Sequence, residues 1–186
     1  MEERAVADFL DSASQSPSAL LIEGEAGIGK TTLWQAALER AGRRGFRVLS
    51  ARNAGAQSVL AYATLTALLA DVDTAEFGDL PAAQRGAVER IRRADRADGA
   101  ATDQRAVAAA FLSIVEKLAA RQPLVLAIDD VQWVDPSSSH VLSYTARRLT
   151  GPVGVLGTLA PTAKPPTTPG YNCGGPMPPN ESPCNR

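Results

Sequence analysis

Four residues near the N-terminus have the types and spacing to hold a polyphosphate. Gly24, Gly29, Lys30 and Thr31 stand in the run Gly24-Glu25-Ala26-Gly27-Ile28-Gly29-Lys30-Thr31-Thr32. The spacing G-x-x-x-x-G-K-[ST] is the phosphate-binding loop pattern. Glycines let a backbone take unusual φ/ψ and turn successive N–H groups inward around an anion. A helix starting straight after the loop adds free N–H donors and the positive end of its dipole. Lys30 then supplies the charge for the β- and γ-phosphates, and the Thr31 hydroxyl is a ligand suited to Mg²⁺. All nine residues are therefore candidate nucleotide-binding positions. The bland alternative is a glycine-rich turn with an exposed lysine, and Lys30 is expected to be exposed at its helix N-terminus on either reading.

The elements around the run are those that such a loop needs. Ala19-Leu20-Leu21-Ile22 is a short apolar run that reads as a buried strand. From Thr32 to Ala41, Leu33, Ala37, Leu38 and Ala41 share one helical stripe. Upstream, residues 3–13 read as a short helix with Val6, Phe9 and Leu10 on one face, ended by a polar turn containing Pro17. Downstream, Gly42 and Gly45 bracket a turn before a second strand, Phe46 to Ser50. Asn53 to Gln57 then form a loop. A long helical stretch follows, with Leu65, Leu68, Leu69 and Val72 at helical spacing. Pro81 opens a helix toward Arg93, and Asp103 caps another that carries Val107, Phe111, Ile114, Val115 and Leu118.

A second chemical group lies far along the chain. Pro123 precedes Leu124-Val125-Leu126-Ala127-Ile128-Asp129-Asp130. Five consecutive apolar residues indicate a strand covered on both faces, as in a parallel sheet. Ligands of open parallel sheets bind beyond the C-terminal ends of the strands. Asp129 is therefore the candidate magnesium-organising acid opposite Thr31. Asp130 is either the acid that orients or deprotonates an attacking water, or a loop cap. Asp135-Pro136 is a helix cap followed by proline at the first helical position, and that helix runs to about Leu149. Val153 to Thr158 is a fourth strand.

Leu20 to Thr32 and the run Leu124 to Pro136, with its Asp129-Asp130-x-Gln132-Trp133-x-Asp135 core, resemble the ATPase module of the signal-transduction ATPases with numerous domains. More narrowly they resemble the large ATP-binding regulators of the LuxR type. The resemblance covers about residues 3–159. It implies an α/β P-loop NTPase fold, a parallel sheet of order 5-1-4-3-2 covered by helices. It also implies Mg²⁺-dependent ATP binding, slow hydrolysis to ADP and phosphate, and a switching role in transcription regulation in the cytoplasm.

Four family features have no counterpart here. The Gly-Arg segment that frames the adenine lies where this chain begins. An arginine commonly follows the fourth strand and senses the γ-phosphate, whereas here Thr158-Leu159 leads to Ala160-Pro161. The fifth strand and helical lid are replaced by a proline-rich stretch, and no helix-turn-helix follows. With strand five missing, strand one becomes an open edge through which copies of the chain can associate. DNA is not expected to bind this chain directly.

The chain of 186 residues carries a net charge of −1 and is 45% hydrophobic. That is enough for one buried core, and it gives no electrostatic footprint for nucleic acid. No apolar run spans a bilayer, so no membrane partner is expected. Residues 1–159 read as the ATPase domain and 160–186 as a disordered tail, since eight of the 13 prolines lie there. Cys173 and Cys184 sit in that tail without zinc-site spacing. Trp133 is read chiefly as filling a hydrophobic gap, and alternatively as ordering the loop after Asp129. His140 reads as a helix-surface or packing residue. Arg147 and Arg148 complement a helix C-terminus, with an arginine-finger role as the alternative. Two other functions remain open from sequence: a truncated, non-enzymatic remnant that binds nucleotide weakly or serves as an interaction surface, and a small-molecule kinase.

Overall fold

The structure is a computed structural model that describes residues 2–25, 29–55, 60–93 and 103–160. The expected tail beyond residue 160, both cysteines, and Ala26, Gly27 and Ile28 of the glycine run lie outside the described residues. Four parallel strands form the sheet: β1 (Ser18–Glu23), β2 (Arg47–Arg52), β3 (Leu124–Asp129) and β4 (Val153–Leu159). Their order is β1-β4-β3-β2, which is the expected order without a fifth strand. The chain is therefore an α/β P-loop fold with β1 at one edge.

Each strand's burial follows from its place. All six residues of β3 are buried, because it is central and covered on both faces. Leu124, Leu126 and Ile128 pack with the helices α3 (Ala63–Leu68), α4 (Ala82–Arg93), α5 (Gln104–Ala119) and α6 (Pro136–Ala146). Val125 and Ala127 face α1 (Glu2–Ala13) and α2 (Lys30–Arg43). On the edge strand β1, exposure alternates, and Leu21 is left 47% exposed. α1 approaches β4 closely at Gly154, where an added Cβ would lie 2.7 Å from Phe9 Cζ and 3.0 Å from the Ala13 Cβ. Glycine there is a packing requirement.

Several boundaries differ from the sequence expectation. β2 runs two residues further, to Arg52, because it keeps pairing with β3 as far as Asp129. The Leu65–Val72 stretch is not one long helix. α3 ends at Leu68, and a separate 3₁₀ turn, Thr74–Phe77, is capped by the Asp73 side chain accepting from the Ala75 N–H. Pro81 lies just before α4 and caps it with its carbonyl, which accepts from the Arg85 N–H. Asp103 caps α5 as expected.

Candidate functional site

The parallel arrangement brings the C-terminal ends of β1, β3 and β4 side by side. Glu23 pairs in register with Leu159, and the Gly24 N–H donates to the Leu159 carbonyl at 3.2 Å. The glycine run leaves β1 there and enters α2 at Lys30. Gly29 has φ +95°, a left-handed conformation that glycine adopts without the steric cost of a Cβ. Its carbonyl accepts from the Leu33 N–H at 3.0 Å and starts the helix.

Lys30 is not exposed as expected. It is only 9% accessible, and its ammonium donates to the Glu25 carbonyl at 2.8 Å. The side chain folds back toward Glu25, whose carbonyl gives the ammonium a local acceptor. Thr31 and Thr32, in the first turn of α2, are exposed.

Thr31 and Asp129 meet although nearly a hundred positions separate them. The Thr31 hydroxyl lies 3.4 Å from Asp129 Oδ2. Asp129 is buried, and its other oxygen, Oδ1, accepts from the Thr158 hydroxyl at 2.5 Å. Its carbonyl accepts from the Asn53 side-chain amide at 3.2 Å and from the Asn53 N–H at 3.3 Å. A hydroxyl and a carboxylate converging on one point are hard oxygen donors of the kind that Mg²⁺ takes. The residues present therefore fit that ion.

Asp130 follows in a left-handed conformation, φ 55° and ψ 61°, unusual for a residue other than glycine. Neighbouring bonds hold it there. Its N–H donates to the Thr158 hydroxyl at 2.8 Å, and its carbonyl accepts from the Trp133 N–H at 2.9 Å. Gln132 Nε2 donates to its Oδ1 at 2.9 Å. Thr158 thus lies between the two acids, donating to one and accepting from the other. Sequence alone gives neither Thr158 nor Gln132 a role at the site, although Gln132 belongs to the run that carries the resemblance. A polar residue ending an apolar strand is the signal that picks out Asp129, and it applies equally to Thr158.

Trp133 does not fill a core gap: it is 45% exposed, and its ring packs flat against Gly55, 3.5 Å from where a Cβ would stand. Its contact is thus with Gly55 after β2, which neither reading of Trp133 anticipates. Asp135 is the expected cap of α6 and also a clamp on α3. It is 1% exposed and accepts from the Ser138 N–H at 2.9 Å, the Tyr62 N–H at 2.8 Å and the Thr64 N–H at 3.2 Å. Burial alone would raise its carboxyl. The donors from Ser138, Thr64 and Tyr62 together outweigh burial and hold it below its ordinary value. His140 is exposed on α6. Arg147 and Arg148 follow α6 at the end of the sheet opposite the glycine run, and the Arg148 guanidinium lies 3.9 Å from the Tyr144 ring centroid. They do not join the site within this chain.

The sequence pattern of the AAA ATPase domain matches residues 2–156. The chain belongs to the AAA ATPase domain family. Membership in a family of nucleotide-binding ATPase domains accords with the loop at Gly24–Thr32 of this AAA domain. Nucleotide and Mg²⁺ use are general to such domains. A solved structure described as a DNA replication initiation factor is similar at 19% identity and TM-score 0.40, over 84% of the AAA domain's chain and 36% of its own. The chain thus spans about a third of that protein's length. No curated protein matches. Among the described residues of the AAA domain, no helix is long and apolar enough to cross a membrane.

Proposed function

We propose that the chain binds Mg-ATP and hydrolyses it slowly, as the nucleotide switch module of a LuxR-type transcriptional regulator. The observation that carries this reading is the meeting of Thr31 with Asp129 at the end of the parallel sheet, directly after the glycine run. Gly24 to Thr32 cradle the phosphates through backbone N–H groups, and Lys30 turns from the Glu25 carbonyl to the β- and γ-phosphates. Thr31 and Asp129 hold the ion, which when bound neutralises charge on the phosphate oxygens. Thr158 fixes the Asp129 carboxylate, and Asp130 orients the water.

Turnover is slow on this reading. Where an arginine is expected after β4, the chain instead runs from Thr158-Leu159 into Ala160-Pro161. The LuxR-type assignment rests on the Asp129-Asp130-x-Gln132-Trp133-x-Asp135 run. The proposal includes a cytoplasmic location, a domain ending near residue 159 and a tail that adds nothing to the site. DNA contact by this chain is not part of it. The β1 edge offers its open side to a second copy, with Ala19, Leu21 and Glu23 exposed.

The test is phosphate release from ATP under single-turnover conditions. The wild-type chain should release phosphate slowly, and Asp130→Asn should release little or none. Equal release by the two would remove Asp130 from the mechanism. No release by either would remove hydrolysis altogether.

A further inference from the structure

We propose that Gln132 is a positioning residue, one that aims the Asp130 carboxylate and ties it to the backbone leaving β4. The inference rests on Asp130 acting as the water-orienting acid. Gln132 uses both ends of its amide. Nε2 donates to Asp130 Oδ1 at 2.9 Å, and Oε1 accepts from the Ala160 N–H at 3.3 Å. These partners fix which end is which, because a carboxylate can only accept and a backbone N–H can only donate. A side-chain amide carries its donor and its acceptor on separate atoms, so Gln132 can bridge these two partners. Among the described residues, Gln132 is the one side chain that donates to the Asp130 carboxylate.

The backbone of Asp130 is already set by Thr158 and Trp133. What remains to be fixed is the carboxylate torsion, and Gln132 fixes it. In the step that Asp130 serves, the water oxygen bonds to the γ-phosphorus. The bond from that phosphorus to the β–γ bridging oxygen breaks, and its electron pair leaves with ADP. The water proton passes to the Asp130 carboxylate and from there to solvent. A misaimed carboxylate slows this step while leaving the phosphate loop untouched.

Two variants separate the two ends. Gln132→Leu removes both bonds. Gln132→Glu keeps the acceptor for Ala160 but loses the donor to Asp130. Each should lower the single-turnover rate about tenfold or more, with ATP affinity and KM within about twofold of wild type. Amide exchange followed by NMR should show the Ala160 N–H exchanging faster in Gln132→Leu and unchanged in Gln132→Glu. The proposal is overturned by an unchanged rate in Gln132→Leu, or by a fall that ATP affinity follows in parallel. It is also overturned by Ala160 exchange that ignores both variants. A wild-type chain without turnover, or an Asp130→Asn chain with full turnover, instead overturns the reading of Asp130 on which it rests.

Discussion

The Thr158 hydroxyl stands 2.5 Å from Asp129 Oδ1 and takes the Asp130 N–H at 2.8 Å. One side chain of β4 thus holds both Asp129, which ends β3, and Asp130, which follows it. The relationship follows from topology, because β4 lies beside β3 and both strands end at the same level of the sheet. Thr158 is fully buried, so these bonds form away from water, where an unpaired group is costly.

Thr158→Val keeps the shape and removes both bonds. It leaves the Asp130 N–H and one oxygen of Asp129 unpartnered. The expected cost is about 2 kcal/mol of stability, read by denaturant unfolding. Mg²⁺-dependent ATP affinity should fall about tenfold, as when an outer hydrogen bond to a metal-binding carboxylate is lost. Unchanged Mg²⁺ dependence would mean that Thr158 has only a packing role.

Asp135→Asn tests the double clamp on α3 and α6. The Asp135 carboxyl is held below its ordinary value of 3.8 in the folded chain. A lowered folded value contributes stability above the unfolded value, and that contribution is lost as pH falls through the folded one. The variant should therefore be less stable than wild type by about 2 kcal/mol at neutral pH. The gap should narrow below about pH 4, in chemical unfolding followed across pH. A gap independent of pH would show that the charge of Asp135 contributes nothing.

Gly154→Ala places a methyl group against Phe9 and the Ala13 Cβ. Phe9 can turn, but Ala13 is fixed on α1, so the helix must shift. A loss of about 1–3 kcal/mol is expected from overpacking. ATP affinity should change little, because the strain falls on the face that carries α1. A thermal melt and a nucleotide titration of the same sample read both outcomes.

Much of this arrangement is legible in the sequence because it is local. The glycine run, the apolar stretch ending in Asp129 and the Asp135-Pro136 cap each announce themselves within about ten residues. The strand order follows from the resemblance, and the four strands adopt it. What escapes the sequence is what tertiary pairing creates. Thr158 reaches Asp129 only because β4 lies beside β3. Gln132 reaches Ala160 only because the turn after β3 folds over the end of β4. The long helical reading of Leu65–Val72 fails because α3 stops at Leu68, and Asp73 caps a separate 3₁₀ turn beyond it. Lys30 is buried with its ammonium on the Glu25 carbonyl, a contact that periodicity cannot give.

The central claim is a magnesium-dependent ATP site built from the Gly24–Thr32 run and Asp129. Calorimetric titration of ATP, with and without Mg²⁺, tests it most directly in the wild-type chain, Lys30→Ala and Asp129→Asn. Wild type should bind, and more tightly with Mg²⁺. Lys30→Ala should lose at least tenfold in affinity under both conditions while keeping its fold, a loss of about 1.4 kcal/mol or more. Asp129→Asn should weaken binding chiefly when Mg²⁺ is present. Equal ATP binding by wild type and Lys30→Ala, or an Mg²⁺ dependence that Asp129→Asn leaves intact, would contradict the account.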